Sequence, residues 1–197
     1  NFLNGEKMSD LTITHAGSAV TQSRPGMGSN SERLNQMTVK VIDVTLTTIV
    51  GTHADGDVIS QSIEIPNAVA EKGSAAIIQS IYLQNTDADI ESPALELIFA
   101  AKNQALTSDI SDPVEITNAN LVAAVVQGSA TVSNWSTLAP STASEPNEFA
   151  VKSNIGLVVR AESDSRSIFV HTINRSGAAV TPEGTGKLTA RIGIVQS

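Results

Sequence analysis

The chain has 197 residues, with 20 acidic against 12 basic side chains and a net charge of −8. That length fits one domain, or one domain plus an arm, and so acidic a chain lacks the basic footprint that counterion-release binding to nucleic acid needs. The absence of cysteine excludes disulfides, thiolate metal sites and thiol nucleophiles, and no apolar run approaches the ~18–20 residues that span a bilayer.

Residues 1–37 hold only short apolar pairs, such as Leu11 with Ile13, broken by Ser, Asn, Gly and Thr. Pro25 sits between Arg24 and Gly26. Such a stretch reads as an extended N-terminal arm. Met8, before Ser9 and Asp10, looks like a start codon, so either the N-terminus is processed or Asn1–Lys7 precede the usual start. From Thr38 the pattern changes to period two. TVKVIDVTLTTIV (38–50) reads as a strand whose apolar phase slips near Val41–Ile42, which predicts a bulge there. THADGD (52–57) is a turn. VISQSIEI (58–65) puts Ile59, Ile63 and Ile65 on one face, and Pro66 ends it. AAIIQSIYLQ (75–84) is expected to point Ile77, Ile81 and Leu83 inward. ALELIFAA (94–101) places Leu95, Leu97 and Phe99 together.

Residues 102–120 read as a loop with a weak helix signal near Asn118. LVAAVVQGSATV (121–132) fits helix or strand, with strand favoured in its second half. SNWSTLAPSTASEPNE (133–148) is a long loop, and FAVKS (149–153) a short edge strand. IGLVVRAE (155–162) and SIFVHTI (167–173), separated by Ser163–Arg166, read as a hairpin. KLTARIGIV (187–195) closes the body with Leu188, Ala190, Ile192 and Ile194 on one face.

Composition agrees. There are 18 Val and 18 Ile against 12 Leu, with 23 Ser and 18 Thr. β-branched side chains suit a pleated surface and lose freedom in a helix. Six aromatics leave a core of Val, Ile, Leu and Ala. The expected fold is all-β: an antiparallel two-sheet β-sandwich, jelly-roll-like, spanning 38–197 behind the arm of 1–37.

Chemical constellations are sparse. His15, His53 and His171 fall in the arm, a turn and a strand, without a partner at metal-ligand spacing. Asp87, Asp89 and Glu91 stand at i, i+2 and i+4, which can open a calcium loop. A calcium loop of the EF-hand type then needs Gly and Glu where Ser92 and Ile98 stand, so the match fails. No Gly-x-Ser-x-Gly elbow occurs, and EGTGKLT (183–189) lacks phosphate-loop spacing. These residues imply no catalytic site, no metal and no cofactor. Trp135 is the only tryptophan, in a polar loop. It is either a ligand platform or interface anchor, or a cap on the sandwich.

The run DVTLTTIVGTHADGDVISQSIEIPNAVAEKGSAAIIQSIYLQNTDADIESPALELIFAA (43–101), followed by NIGLVVRAESDSRSIFV (154–170), resembles tailed-bacteriophage virion structural proteins of the capsid decoration or cement type. The shared features are a DVTL strand, a GD-V turn, IEIPNAV, a GSA-IIQSI strand, an acidic loop and an L-L-F strand. They cover roughly half of the chain and are structural punctuation. The resemblance implies a non-enzymatic protein on the capsid surface, a homotrimer that contacts the major capsid protein and copies of itself. The arm departs from the pattern. With nothing of its own to pack against, it is expected to anchor in neighbouring subunits through Leu11, Ile13 and Val20. The alternative is a tail or baseplate adsorption module that binds host glycan through Trp135.

Overall fold

The computed structural model describes residues 38–48, 50–88, 90, 92–107, 118–138, 146–182 and 187–196. The arm with Leu11, Ile13, Val20 and His15 lies outside the described residues, as do Asp89, Glu91, Gly184 and Gly186.

Among the described residues, nine strands and one short helix follow in order. They are β1 (Thr38–Leu46), β2 (Val58–Ile65), β3 (Ala75–Asn85), β4 (Leu95–Ala100), α1 (Asn118–Ala124), β5 (Val126–Val132), β6 (Trp135–Thr137), β7 (Glu148–Arg160), β8 (Ile168–Asn174) and β9 (Leu188–Gln196). One sheet has the order β1-β9-β3-β7-β6 and the other β2-β8-β4-β5, with every pairing antiparallel. The first and last strands pair, β2 pairs with β8, and β3 with β7. That nested pairing, as if a long hairpin were wrapped around a barrel, is a jelly roll with β6 added at one edge.

The core lies between the sheets. β1 contributes Ile42, Val44 and Leu46, β4 contributes Leu95, Leu97 and Phe99, and β9 contributes Leu188, Ala190, Ile192 and Ile194. Alternation explains why these residues share an inner face. Gly128 of β5 lets the sheets close at one edge, because a Cβ there would stand 2.6 Å from Leu157 Cδ1 of β7.

Three expectations are corrected. The register of β1 on β9 runs unbroken from Thr38 to Leu46, so no bulge occurs at Val41–Ile42. Val39 and Val41 instead point outward, 74% and 62% exposed. In β3, Ile78 rather than Ile77 joins the core, because the register shifts between Ile78 and Ser80. Opposite that shift β7 carries extra residues, with Asn154 and Gly156 at φ +56° and +67°. Finally, FAVKS and IGLVVR form one strand, β7, and β7 does not pair with β8. The connection over 161–167 crosses from one sheet to the other. A short polar turn between apolar runs looks the same in either geometry, and pairing to β3 and β6 decides it.

Candidate contact surfaces and the buried polar network

Four loops meet at one end of the sandwich. They follow β1, β3, β5 and β8, and hydrogen bonds tie them together. His53 and Val180 exchange backbone bonds of 2.8 and 2.9 Å. Thr86 N–H donates to Lys187 O at 2.9 Å, and Arg175 N–H to Ala94 O at 2.7 Å.

Three buried polar side chains organise this end. Asn174 donates through Nδ2 to the carbonyls of His53, Ala54 and Ala178, and its Oδ1 accepts from Ser176 N–H. Glu148 accepts from Ser92 N–H at 3.1 Å and Ser92 Oγ at 2.9 Å. Asn85 bridges Ile90 O at 2.6 Å and the Glu148 carboxylate at 3.4 Å. Buried polar groups must be satisfied, so these side chains fix loop paths rather than wait for a ligand.

Asp87 is the one described member of the acidic triplet. It is buried, and its N–H donates to Asn85 Oδ1 at 3.0 Å. Among the described residues, no three His, Asp or Glu side chains gather closely enough to hold a metal ion.

Trp135 opens β6 half-buried. Its ring packs against the main core, and its indole N–H donates to Pro93 O at 2.6 Å. It thus fastens the loop after β5 to the loop after β3. The packed ring fits the cap on the sandwich that the sequence offered as one alternative, whereas the bond to Pro93 has no local signal.

At the opposite end, the loops after β2 and β7 join. Val69 N–H donates to Arg166 O and Gly73 N–H to Ser165 O. Lys40 and Gln196 both reach Asn67 O, at 3.1 and 2.7 Å.

The outward faces of the two sheets differ. On the four-stranded sheet, Ile98, Ala100 and Ile173 are buried beneath Leu106 and Ala124 of α1 and its approach. His171 of β8 stands beside Ile98 and is fully buried. Its Nδ1 accepts from Ser62 N–H at 3.1 Å, which places the neutral imidazole's proton on Nε2. Ser62 adopts φ +55° in a bulge of β2 to aim that N–H. His171 Nε2, Gln61 Oε1 and Ser62 Oγ are buried without partners among the described residues. Burial holds the imidazole down at about 4, against an ordinary 6.5. At the rim of this sheet Glu96 accepts from Ser129 Oγ at 2.6 Å and Arg175 Nε at 2.8 Å. Burial raises its pKa, but these bonds and the Arg175 charge outweigh it, so the net shift is downward.

On the five-stranded sheet no such cover exists among the described residues. Val39, Val41, Val151 and Val158 are more than half exposed. These valines are the surface feature that sequence reading missed, because an outward Val and a core Val look alike in a period-two strand.

No protein-family model matches the chain, and no curated protein matches it. Among solved structures it is similar to three virus particles, each at 12% identity. A semi-empty virus-like particle of the giant freshwater prawn Macrobrachium rosenbergii nodavirus gives a TM-score of 0.31, covering 81% of this chain and 92% of that one. Desmodium yellow mottle tymovirus gives 0.27, covering 95% and 94%. Mud crab tombus-like virus gives 0.21, covering 95% and 92%. These scores are low, and the jelly-roll assignment stands on the strand pairings of the chain itself.

Proposed function

We propose that this chain is a virion structural protein that decorates and stabilises a bacteriophage capsid, held on the shell as a homotrimer by contacts with the major capsid protein and with its own copies. The observation that carries the reading is where the polar chemistry lies. Asn85, Asn174 and Glu148 face inward to tie loops, while the five-stranded sheet turns bare apolar side chains outward. A body of that kind works by surface contact, not by catalysis. The resemblance over 43–101 and 154–170 points the same way, and the jelly roll is a common shell architecture.

The mechanism is linkage. A protein that binds only the assembled shell stabilises it by mass action, raising the cost of rupture. The arm would supply reach: fully extended, 37 residues can span roughly 120 Å at ~3.3 Å each. Leu11, Ile13 and Val20 are its anchors in neighbouring subunits.

Deleting Asn1–Gln36 should leave the sandwich folded and weaken attachment to the shell, read as protein retained on purified particles. If the truncated protein decorates particles as tightly as the full chain, the arm is not the attachment device. The glycan-binding alternative has less behind it, because Trp135 gives its N–H to Pro93 and packs its ring on the core.

A further inference from the structure

Residues that face each other across strands share a side of the sheet, so the outward face of the five-stranded sheet can be read in rows. Val39 faces Val195, Val195 faces Ile77, and Ile77 faces Val158. Four β-branched side chains therefore form one line over four strands. In the next row Val41 faces Gly193 and Gly193 faces Ser80. A Cβ on Gly193 would run into Ser80 Oγ, so this row is low. Then come Asp43, Arg191, Tyr82 and Val151. Arg191 bonds Asp43 at 3.0 Å and lies 5.4 Å over the Tyr82 ring, which stacks on Phe149 at 5.9 Å.

We propose that this face is a contact between copies of the chain. Charge selects the partner. The whole chain carries −8, so two copies repel over most of their surfaces. Within the three rows the only charges are Asp43 and Arg191, which cancel. Two acidic molecules meet with least repulsion where each is neutral and apolar. The three rows span five residues at ~3.4 Å by four strands at ~4.8 Å, roughly 330 Å² a copy or about 650 Å² for two, the size of a weak contact that forms on concentration. Neither the arm nor a place on a virion is needed for this contact.

The chain has no cysteine, so V158C and V122C in the full chain each carry one thiol. Val158 lies in the first row, whereas Val122 is an exposed position of α1. Alkylation by iodoacetamide is timed in dilute and in concentrated solution. The expected result is a several-fold slowing of V158C on concentration and an unchanged rate for V122C. In parallel, V41K/V158K should sediment as a smaller species than the parent chain while keeping its β circular dichroism. A V158C rate that is fast at both concentrations means an open face and overturns the inference. A rate that is slow at both in a chain that sediments as a monomer means that the chain's own N-terminal segment covers the face, which overturns it too. So does a V41K/V158K variant that associates as the parent does.

Discussion

The two sheets present opposite solutions to the same problem. Each has an inner face in the common core, and each has apolar residues on its outer face. The four-stranded sheet hides them: Ile98, Ala100 and Ile173 are buried with Leu106 and Ala124. The five-stranded sheet leaves Val39, Val41 and Val158 in the open. An outer face that is covered from within the chain is finished by folding. One that is not can be finished only by association, so the difference separates the residues that hold the fold from those that meet a partner.

The sharpest way to break this comparison is to shorten one residue on each face. Ile173→Ala empties a fully buried site and should cost about 2–5 kcal/mol. Val158→Ala, at 61% exposure, should change the stability of the dilute protein by no more than about 0.5 kcal/mol. Urea midpoints measure both, and equal losses would mean that the open face is part of the fold.

Acid gives a second, somewhat smaller effect, confined to the covered face. Burial depresses the His171 pKa to about 4 from 6.5. Below pH 6.5 the unfolded chain takes up a proton that the folded chain refuses, so stability falls as pH drops from about 6.5 toward 4. The full loss is roughly 3 kcal/mol. Protonation at Nδ1 would also set two donors against each other at Ser62 N–H. His171→Asn should flatten the pH 5–6.5 part of the profile, and a profile unchanged by that substitution would clear His171 of the effect.

The smallest effect sharpens how the cover is held. Val125, just after α1, sits at φ +53°, where a β-branched side chain is strained. Glycine at this post-helix position relieves that strain. Val125→Gly should therefore stabilise by about 1 kcal/mol, seen as a raised denaturant midpoint. A loss instead would mean that Val125 contributes more by packing than it costs in backbone strain.

Much of the sandwich was legible in the sequence, for a physical reason. Alternating residues such as Leu95, Leu97 and Phe99 of β4 and Leu188, Ala190, Ile192 and Ile194 of β9 share one face because the main core lies on one side. The reading failed where apolar residues lie on both sides. Val39 and Val41 look like core, which suggested a bulge that the unbroken β1–β9 register excludes. Ile77 and Ile78 are likewise adjacent and equally apolar, and only the register shift sends Ile78 inward. The β7–β8 turn was legible as a turn, but strand partners depend on residues far away in sequence. The role of Trp135 required Pro93, forty-two positions earlier, to be brought beneath it. Nothing local signals that contact.

The pairing of Thr38 with Gln196 has a mechanical consequence. Both ends of the sandwich emerge side by side, on the outermost two strands of one sheet. Force applied through these two points alone would peel β1 from β9 one hydrogen bond at a time, the weakest direction in which to load a sheet. Force applied between either point and the interlocked loops at the far end would instead pull along the strands and load many bonds at once. A load-bearing role therefore favours anchorage that engages both ends of the sandwich.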